Sequence, residues 1–485
     1  MDCALPVFSI FQFLVLYLSF SGISYSLLKK LPSFAALAGT GVLLCFIGMD
    51  CYCLMNFTKT AGVAAVGGIN LMFAAREERQ RSGRFALMAL GFVLALAGLG
   101  LRVMEFFACA ALMLPLGIYL LRHSCGKSFS LKAAANYALP FVVLLLVCMG
   151  LWGADWIIWS RSDCGEYRNY SNARSRVFDY GLPEYDDMPE LYQSLGLDES
   201  TVALGQSFNI EQWTEERLEK TAAARDAEKG AFSLGRYLGV VLDECLHSFF
   251  EQRHIYCFLG FVLLWLAGGR RDWLSYGVLL SSLFIFLGLY LYLAYNGRCL
   301  VNRTDLGFFL ALSVTLLWLI NPERMHGEKF FCTLLLCCAV FLFLWQIRSL
   351  ISLPQSRAGE PAPTTSSRVE RLLADGHGFF HTLVSFDMNI CTPLETVPEN
   401  YAEKIFAIGG WWTGHPGMNE IMAAYGVEIP YRDLVNNDSC YLIAYDIDKV
   451  MEHVRHHYFP QAQALPVEPL SSETGLRIWR LVSEG

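Results

Sequence analysis

Long apolar runs separated by short polar loops fill most of the chain. Ten of these runs come close to the length of about 20 residues that a helix needs to cross a bilayer core of about 30 Å. They cover residues 7–28, 34–54, 60–75, 84–101, 104–121, 136–159, 255–268, 273–295, 305–320 and 330–352. The pattern predicts about ten transmembrane helices. Because the third run is short, one long span followed by a re-entrant piece over 34–75 is an open alternative.

The first polar segment, residues 160–252, lies between the sixth and seventh runs and predicts a helical insert. Residues 189–196 and 211–229 have the signals of short helices, and the second of these ends at Lys229 and a glycine. Residues 233–250 carry an apolar stripe at helical spacing. That stripe predicts a helix that either lies flat on the bilayer surface or packs against the membrane body.

The second polar segment, residues 369–485, follows a linker rich in Pro, Ser and Thr at 353–368. Residues 447–458 predict a helix, and short apolar stretches predict strands at 379–386, 440–445, 465–467 and 476–481. Strands that alternate with helices are typical of a small α/β layer. The expected fold is therefore an all-α membrane body in two parts, 1–159 and 253–352, with a helical insert and a C-terminal α/β domain.

Composition supports the membrane assignment. Hydrophobic residues make up 54% of the 485 positions and charged residues only 17%, whereas about 25% of the residues of a soluble domain are charged. A purely soluble enzyme and a disordered chain are therefore excluded. The bases form no clustered face of the kind that binds nucleic acid, so no nucleic-acid partner is expected.

The distribution of charge predicts the orientation of the helices. Lys and Arg are concentrated in every second loop, at 29–33, 76–84, 122–135, 269–272 and 321–329. Cytoplasmic loops carry an excess of these residues, so both acidic segments are expected outside a bacterial plasma membrane. Both termini are then outside as well. For the N-terminus this leaves two alternatives: a short tail that crosses the membrane, or a missing upstream span.

Charged residues at the predicted outer ends of the spans are the candidates for chemistry. A carboxylate near the headgroups acts as a general base or holds a divalent cation, the one cofactor that these residues suggest, and arginines bind phosphate. The carboxylate candidates are Asp50, Glu105 and Asp155. The phosphate-side candidates are Lys59, Arg102, Arg174 and Arg176. The alternative is that these residues pair with one another in turns. No charge falls at mid-depth in a predicted span, which argues against an ion relay.

The loop at 409–416 places two tryptophans between glycines and a proline. The flat rings of Trp411 and Trp412 suit stacking on a sugar or a lipid headgroup, and the alternative is that they fill a core. Cys391 and Cys440 are candidates for a disulfide. The three histidines at 453, 456 and 457 are interpreted as a solvated helix face.

This layout resembles the GT-C class of polytopic bacterial glycosyltransferases, which use a polyprenyl-phosphate-linked sugar and an outward acidic residue near the membrane edge. The segments 56–61, 170–180 and 429–435 also resemble stretches of uncharacterised polytopic proteins of anaerobic Gram-positive gut bacteria. The GT-C pattern places its key acid in a long first outward loop, whereas this loop is tiny here (55–59). No catalytic residue of the class is therefore carried over.

The resemblance implies a cell-envelope glycosyltransferase that acts on a lipid-linked sugar at the outer leaflet, with the bilayer, that sugar and an envelope glycan or protein as partners. A non-enzymatic envelope assembly or binding protein is the second hypothesis. A transporter or flippase is the third. Because an enzyme requires an indispensable carboxylate and a binding protein does not, substitution of the acidic candidates distinguishes the first two.

Overall fold

The computed structural model describes residues 7–125, 131–161, 164–228, 233–248, 252–296, 302–355, 374, 376–382, 401–410, 413–444, 446–469 and 477–484. Within these ranges the chain is mostly helical and has a small C-terminal sheet. The described residues divide into two units, one within 7–153 and 233–353 and the other within 154–232 and 354–485.

The first unit is a bundle of apolar helices. Their bounds are α1 Val7–Lys30, α2 Ser33–Leu43, α3 Met49–Cys53, α4 Phe57–Glu77, α5 Arg81–Leu101, α6 Val103–Cys125, α7 Leu131–Arg161, α12 Leu234–Ser248, α13 Arg253–Gly268, α14 Trp273–Tyr295, α15 Asn302–Trp318, α16 Pro322–Met325 and α17 Lys329–Gln355. A π-helical turn over Leu44–Gly48 joins α2 to α3. Helix α7 begins in this unit and ends in the second.

Six helices in the described ranges are long and apolar enough to cross a membrane. They are Val7–Lys30, Ser33–Cys53, Arg81–Leu101, Val103–Ser124, Leu131–Arg161 and Trp273–Tyr295. The other four predicted runs are also helical, in α4, α13, α15 and α17. The chain therefore has the features of a membrane protein, while the count of ten spans stays a prediction.

Helix α4 has buried side chains along nearly its whole length and packs against α1, α5, α6 and α15. Small residues allow this close packing, because they let the backbones of neighbouring helices approach one another. In an apolar environment such as lipid, helices associate mainly through contacts of this kind. A Cβ atom on Gly68 of α4 would lie 2.6 Å from backbone atoms of Gly91 and Ala95 on α5. The low hydropathy of α4 therefore reflects a packing role at the centre of the bundle.

The second unit contains the insert, whose helices are short. They are α8 Gly165–Phe178, α9 Pro189–Ser194, α10 Glu199–Gln206 and α11 Glu215–Glu228, with a 3₁₀ turn at Tyr185–Asp187. Their core is aromatic and includes Phe178, Tyr192 and Trp213. The predicted helices at 189–196 and 211–229 are confirmed with small changes at their ends, and the predicted helix at 233–250 is α12 of the first unit.

The C-terminal part of the second unit is a five-stranded sheet of order β2-β1-β3-β5-β4. The strands are β1 Gly378–His381, β2 Ile405–Ala407, β3 Cys440–Ala444, β4 Gln463–Pro469 and β5 Arg477–Val482. Strands β2, β1 and β3 are parallel, and β5 pairs antiparallel with β3 and with β4. The helices are α18 Tyr401–Lys404, α19 Pro416–Ala424, α20 Pro430–Asp433 and α21 Ile447–His457. The predicted small α/β layer is present.

The insert and the sheet pack on one another within this unit, an association that the sequence did not indicate. Arg174 of α8 donates Nη1 to the carbonyl of Gly410, at 2.8 Å. The carboxylate of Glu211 accepts a hydrogen bond from the backbone nitrogen of Tyr431, at 2.8 Å. A Cβ atom on Gly409 would collide with the backbone of Phe208, so the two chain segments touch directly at this glycine.

Candidate functional site

A cluster of charged side chains is buried at one end of the helical bundle. It is formed by the last turn of α3 and the first turns of α4, α6, α13 and α15. Five of its members expose 6% or less of their surface: Asp50, Lys59, Glu105, His254 and Asp305. Because burying a charge costs several kcal/mol unless it is paired or used, this cluster is the first candidate for a functional site.

Asp50 and Lys59 form a buried ion pair within the cluster. The Lys59 Nζ lies 2.6 Å from Oδ2 of Asp50 and 3.4 Å from the carbonyl of Leu54. Arg253 places Nη1 3.6 Å from the other oxygen of Asp50. Two cations thus neutralise Asp50, which corresponds to the alternative that these charges pair with one another. Sequence reasoning missed Arg253 and His254, because both lie just before the apolar run at 255–268, although helix α13 begins at Arg253.

Glu105 lies in a space that two glycines leave open. Its carboxylate is between Gly62 on α4 and Gly307 on α15, and a Cβ atom on Gly62 would lie 2.9 Å from its Oε1. That oxygen also accepts a weak hydrogen bond from the Sγ of Cys109, at 3.8 Å. A side chain at either glycine would displace the carboxylate, so the close approach of these helices positions Glu105.

Asp305 and Arg102 are the charged neighbours of Glu105. Both oxygens of Asp305 are buried, and the Tyr290 hydroxyl lies close enough to interact with this carboxylate. Arg102 donates Nη1 to the Thr58 hydroxyl, at 3.1 Å, and its guanidinium stands over the ring of Phe57. Glu105 therefore lies near both an arginine and a second carboxylate at the end of the bundle.

The remaining candidates lie in the second unit. Asp155 is more than half exposed, with Arg168 at 4.0 Å. Arg176 is exposed and lies 3.5 Å from Asp226. The guanidinium of Arg174 is buried, where it binds the Gly410 carbonyl and the Ser171 hydroxyl. Protein groups thus engage Arg174, and its observed contacts join the insert to the sheet.

Trp411, Trp412 and Cys391 lie outside the described residues, so the stacking and disulfide hypotheses stay predictions. Cys440 is buried in strand β3. Among the described residues, no three His, Cys, Asp or Glu side chains are arranged to hold a metal ion.

The interpretation of the three histidines as a solvated face is wrong for His453, which is 2% exposed. Its Nδ1 lies 3.5 Å from the Ser200 hydroxyl of the insert, and burial lowers its pKa to about 4. The neighbouring His457 contacts Asp198 at 2.8 Å. These side chains pack α21 against α10, a tertiary contact that helical periodicity alone does not reveal.

An apolar cavity of about 540 Å³ lies between α4, α6 and α7. Its wall follows one face of α6 from Phe106 to Leu121, a rise of roughly 22 Å, and includes Phe73 and Phe141 of the facing helices. Phe106 directly follows Glu105 in the first turn of α6. The lining of the cavity therefore begins one residue after Glu105, on the same helical turn, and Glu105 itself is not part of the lining.

No protein-family model, curated protein or solved structure matches this chain. The function is therefore argued from the charged cluster, the cavity and the architecture.

Proposed function

We propose that the chain is a bacterial cell-envelope protein that transfers a sugar from a polyprenyl-phosphate carrier at the outer leaflet, in the manner of GT-C glycosyltransferases. The observation that carries this proposal is the position of Glu105. Its carboxylate is buried next to Arg102 on the helical turn where the apolar cavity begins. Sugar transfer from a lipid-linked phosphate uses an apolar site for the lipid chain, a cation for the phosphate and a carboxylate as the base for the acceptor.

In the proposed reaction an acceptor hydroxyl attacks the anomeric carbon of the sugar. The bond from that carbon to the phosphate oxygen breaks, and polyprenyl phosphate leaves. Glu105 accepts the proton of the acceptor hydroxyl, and Arg102 stabilises the charge of the leaving phosphate. Asp50 and Lys59 stabilise the helix ends through their ion pair. In this scheme they take no part in the proton transfer.

The lipid tail is assigned to the cavity between α4, α6 and α7. All the residues of its wall are apolar or aromatic, so an isoprenoid chain gains contacts there without burying a polar group. The cavity follows α6 for much of the thickness of a bilayer core. The proposal therefore places the phosphate near the first turn of α6 and the tail along the helix.

The test uses the full chain in lipid nanodiscs with undecaprenyl phosphate carrying a radiolabelled hexose, and with a neutral disaccharide added as the acceptor. We expect the wild type to release the label from the lipid, and Glu105→Gln to release it at least 100-fold more slowly, as expected for loss of a general base. Glu323→Gln is the matched control, because this glutamate is exposed at the start of α16. Release by Glu105→Gln within twofold of the wild type would remove the catalytic assignment.

The second candidate function is a non-enzymatic binding protein of the envelope. The observation that favours it is a cleft of about 440 Å³ between the insert and the sheet. In that case substitution of Glu105 and Asp155 leaves function in cells unchanged, while substitutions in the cleft abolish it. Comparing these two sets of variants in one growth or envelope assay separates the two functions.

A further inference from the structure

The cleft of the second unit is formed by two parts of the chain that are distant in sequence. The insert contributes α8 and the segment before α11, and the C-terminal part contributes the loop after β2, α19 and the loop before α20. Its volume of about 440 Å³ lies within the range of about 300–1,000 Å³ typical of small-molecule sites. Ile408, Thr413 and Gly414, which follow strand β2, are part of its wall.

One side of the cleft carries a carboxylate held in a fixed position. Glu211 accepts a hydrogen bond from the Tyr458 hydroxyl, at 2.6 Å, and another from the backbone nitrogen of Tyr431, at 2.8 Å. Gln212 donates to the same Tyr458 hydroxyl, at 3.5 Å. Each of the two oxygens of Glu211 still has a free lone pair, because a carboxylate oxygen accepts more than one hydrogen bond. The group is therefore a rigid acceptor for hydroxyl protons.

The wall of the cleft also carries a phenol, Tyr170, whose hydroxyl has no hydrogen-bond partner among the described residues. Tyr170 of α8 lies against Gly414, where a Cβ atom would approach its ring to 3.4 Å. Burial raises the pKa of Tyr170 to about 12, and the nearby Arg174 offsets only part of this rise. The hydroxyl keeps its proton at neutral pH, so it is available as a donor and an acceptor in the cleft.

The floor of the cleft is apolar and includes Met418, Met422 and Ile429. The arginine in its wall is engaged by the protein, because Arg217 donates Nη1 to the Gln212 carbonyl, at 2.7 Å, and Nη2 to the Gly196 carbonyl, at 3.5 Å. Glu428 adds a second carboxylate. An anionic ligand would face two acids and an occupied guanidinium, so the charges disfavour phosphates and carboxylates.

We infer that this cleft binds a neutral saccharide of one or two sugar rings. Hydroxyl pairs of the sugar donate to Glu211 and exchange hydrogen bonds with Tyr170, while its C–H face packs on the methionine floor and on the rings of Tyr170 and Tyr458 in the wall. The inference deepens the proposed transferase function, because it assigns the cleft to the sugar of the acceptor. Only the acceptor role rests on the proposed function, because the cleft binds a saccharide whether or not the protein transfers a sugar.

The test measures binding by saturation-transfer difference NMR on the full chain in nanodiscs. The probes are the neutral disaccharides chitobiose, cellobiose, maltose and lactose, with inorganic phosphate as the anionic comparison. We expect at least one disaccharide to bind. Tyr170→Phe should weaken binding about three- to tenfold, the effect of one lost hydrogen bond, and Met418→Trp should abolish it by filling the cleft.

Tyr185→Phe is the matched control, because Tyr185 stacks on Tyr192 in the same insert and does not line the cleft. Circular dichroism and gel filtration establish that each variant is folded, and the inference remains testable through Tyr170→Phe if Met418→Trp misfolds. The absence of binding by all four disaccharides overturns the inference. Binding by phosphate alone, or saccharide binding that Tyr170→Phe leaves unchanged, also overturns it.

Glu105→Gln separates this inference from the transferase proposal. We expect the variant to bind the saccharide with the affinity of the wild type. If the wild type binds a saccharide but transfers no sugar, the saccharide cleft is supported and the transferase proposal is contradicted. If it transfers sugar but binds no saccharide in the cleft, the transferase is supported and the saccharide cleft is contradicted. If Glu105→Gln lost saccharide binding, the cleft would not be a sugar site that is independent of Glu105.

Discussion

The buried pair of Asp50 and Lys59 makes the most direct prediction at the scale of single residues. Removing one member of a buried ion pair costs up to about 3–5 kcal/mol, and without Lys59 the Asp50 carboxylate keeps only Arg253 among the described residues, at 3.6 Å. We expect Lys59→Met to lower the thermal stability of the purified protein strongly, and Asp50→Asn with Lys59→Met to recover much of the loss. A double-mutant cycle of unfolding in detergent measures this coupling.

The exposed pair of Lys220 and Glu216 is the control, since its side chains are more than half exposed and such pairs contribute about 0–1 kcal/mol. Lys220→Met should leave the stability of the protein nearly unchanged. If Lys59→Met has an effect as small as that of Lys220→Met, Asp50 and Lys59 are not coupled in the folded protein.

His453 predicts a pH dependence for the second unit. Its folded-state pKa of about 4 lies below the ordinary histidine value of 6.5, because burial disfavours the charged form. The unfolded chain therefore binds more protons between pH 6.5 and pH 4, and stability is lost as the pH falls through this window. Asp198 adds to the loss only at lower pH. Burial acts to raise its pKa, but hydrogen bonds from Thr201 and Ser200 outweigh burial and lower the pKa to about 2.

We expect the free energy that protects the amides of α21 from hydrogen exchange to fall by about 2 kcal/mol between pH 7 and pH 4.5. Exchange rates have to be corrected for their intrinsic dependence on pH. His453→Phe should flatten the curve, while His326→Phe, at an exposed position after α16, should leave it unchanged. An unaltered curve in His453→Phe would show that another group titrates.

The contact between α4 and α5 makes the prediction at the scale of secondary-structure elements. A methyl group on Gly91 would lie 2.6 Å from the carbonyl of Gly68, an atom that cannot move without displacing the helix. Gly91→Ala should therefore destabilise the bundle by about 1–3 kcal/mol. Gly100→Ala on the same helix should be neutral or slightly stabilising, because nothing lies within 4 Å of its Cβ position. Thermal unfolding of both variants in one detergent provides the comparison.

The elements with a clear hydrophobic period were predictable from the sequence. All ten apolar runs are helical, and the strand at Cys440–Ala444 and the helix at Ile447–His457 lie within a residue of their predicted ends. Strand β2, Ile405–Ala407, was missed because three residues are too few to show a period. Helix α19 was missed because it directly follows a loop rich in Gly, Trp and Pro, whose composition indicates a turn.

The candidate site was predictable in part. The sequence identified Asp50, Lys59, Arg102 and Glu105 as charges at helix ends, and the fold brings them into one cluster with Asp305. It gave no sign of the glycines that surround the Glu105 carboxylate, because helix packing brings together residues that are far apart in sequence. Arg174 was assigned to phosphate from its charge alone, and only its contact with Gly410 reveals what it binds.

At the scale of the whole molecule, the chain combines an apolar bundle with an acidic second unit. Residues 161–252 carry 18 acids against 9 bases, and residues 354–485 carry 17 against 9, while the remaining chain has an excess of bases. Both acidic segments contribute residues to the same unit, and the charge distribution of the loops predicts that both lie on one side of a membrane. The proposed transferase and the saccharide cleft both require that side to be the outside.

The orientation of the chain is therefore the most direct test of the proposed function. An epitope tag at the carboxyl end, or in the loop between α10 and α11, is probed with an antibody on intact cells and again after permeabilisation. A tag between Arg270 and Arg271 serves as the internal control. We predict that both tags of the second unit bind antibody on intact cells, while the control requires permeabilisation. Labelling of the second unit only after permeabilisation would place it in the cytoplasm and contradict the proposed site of action.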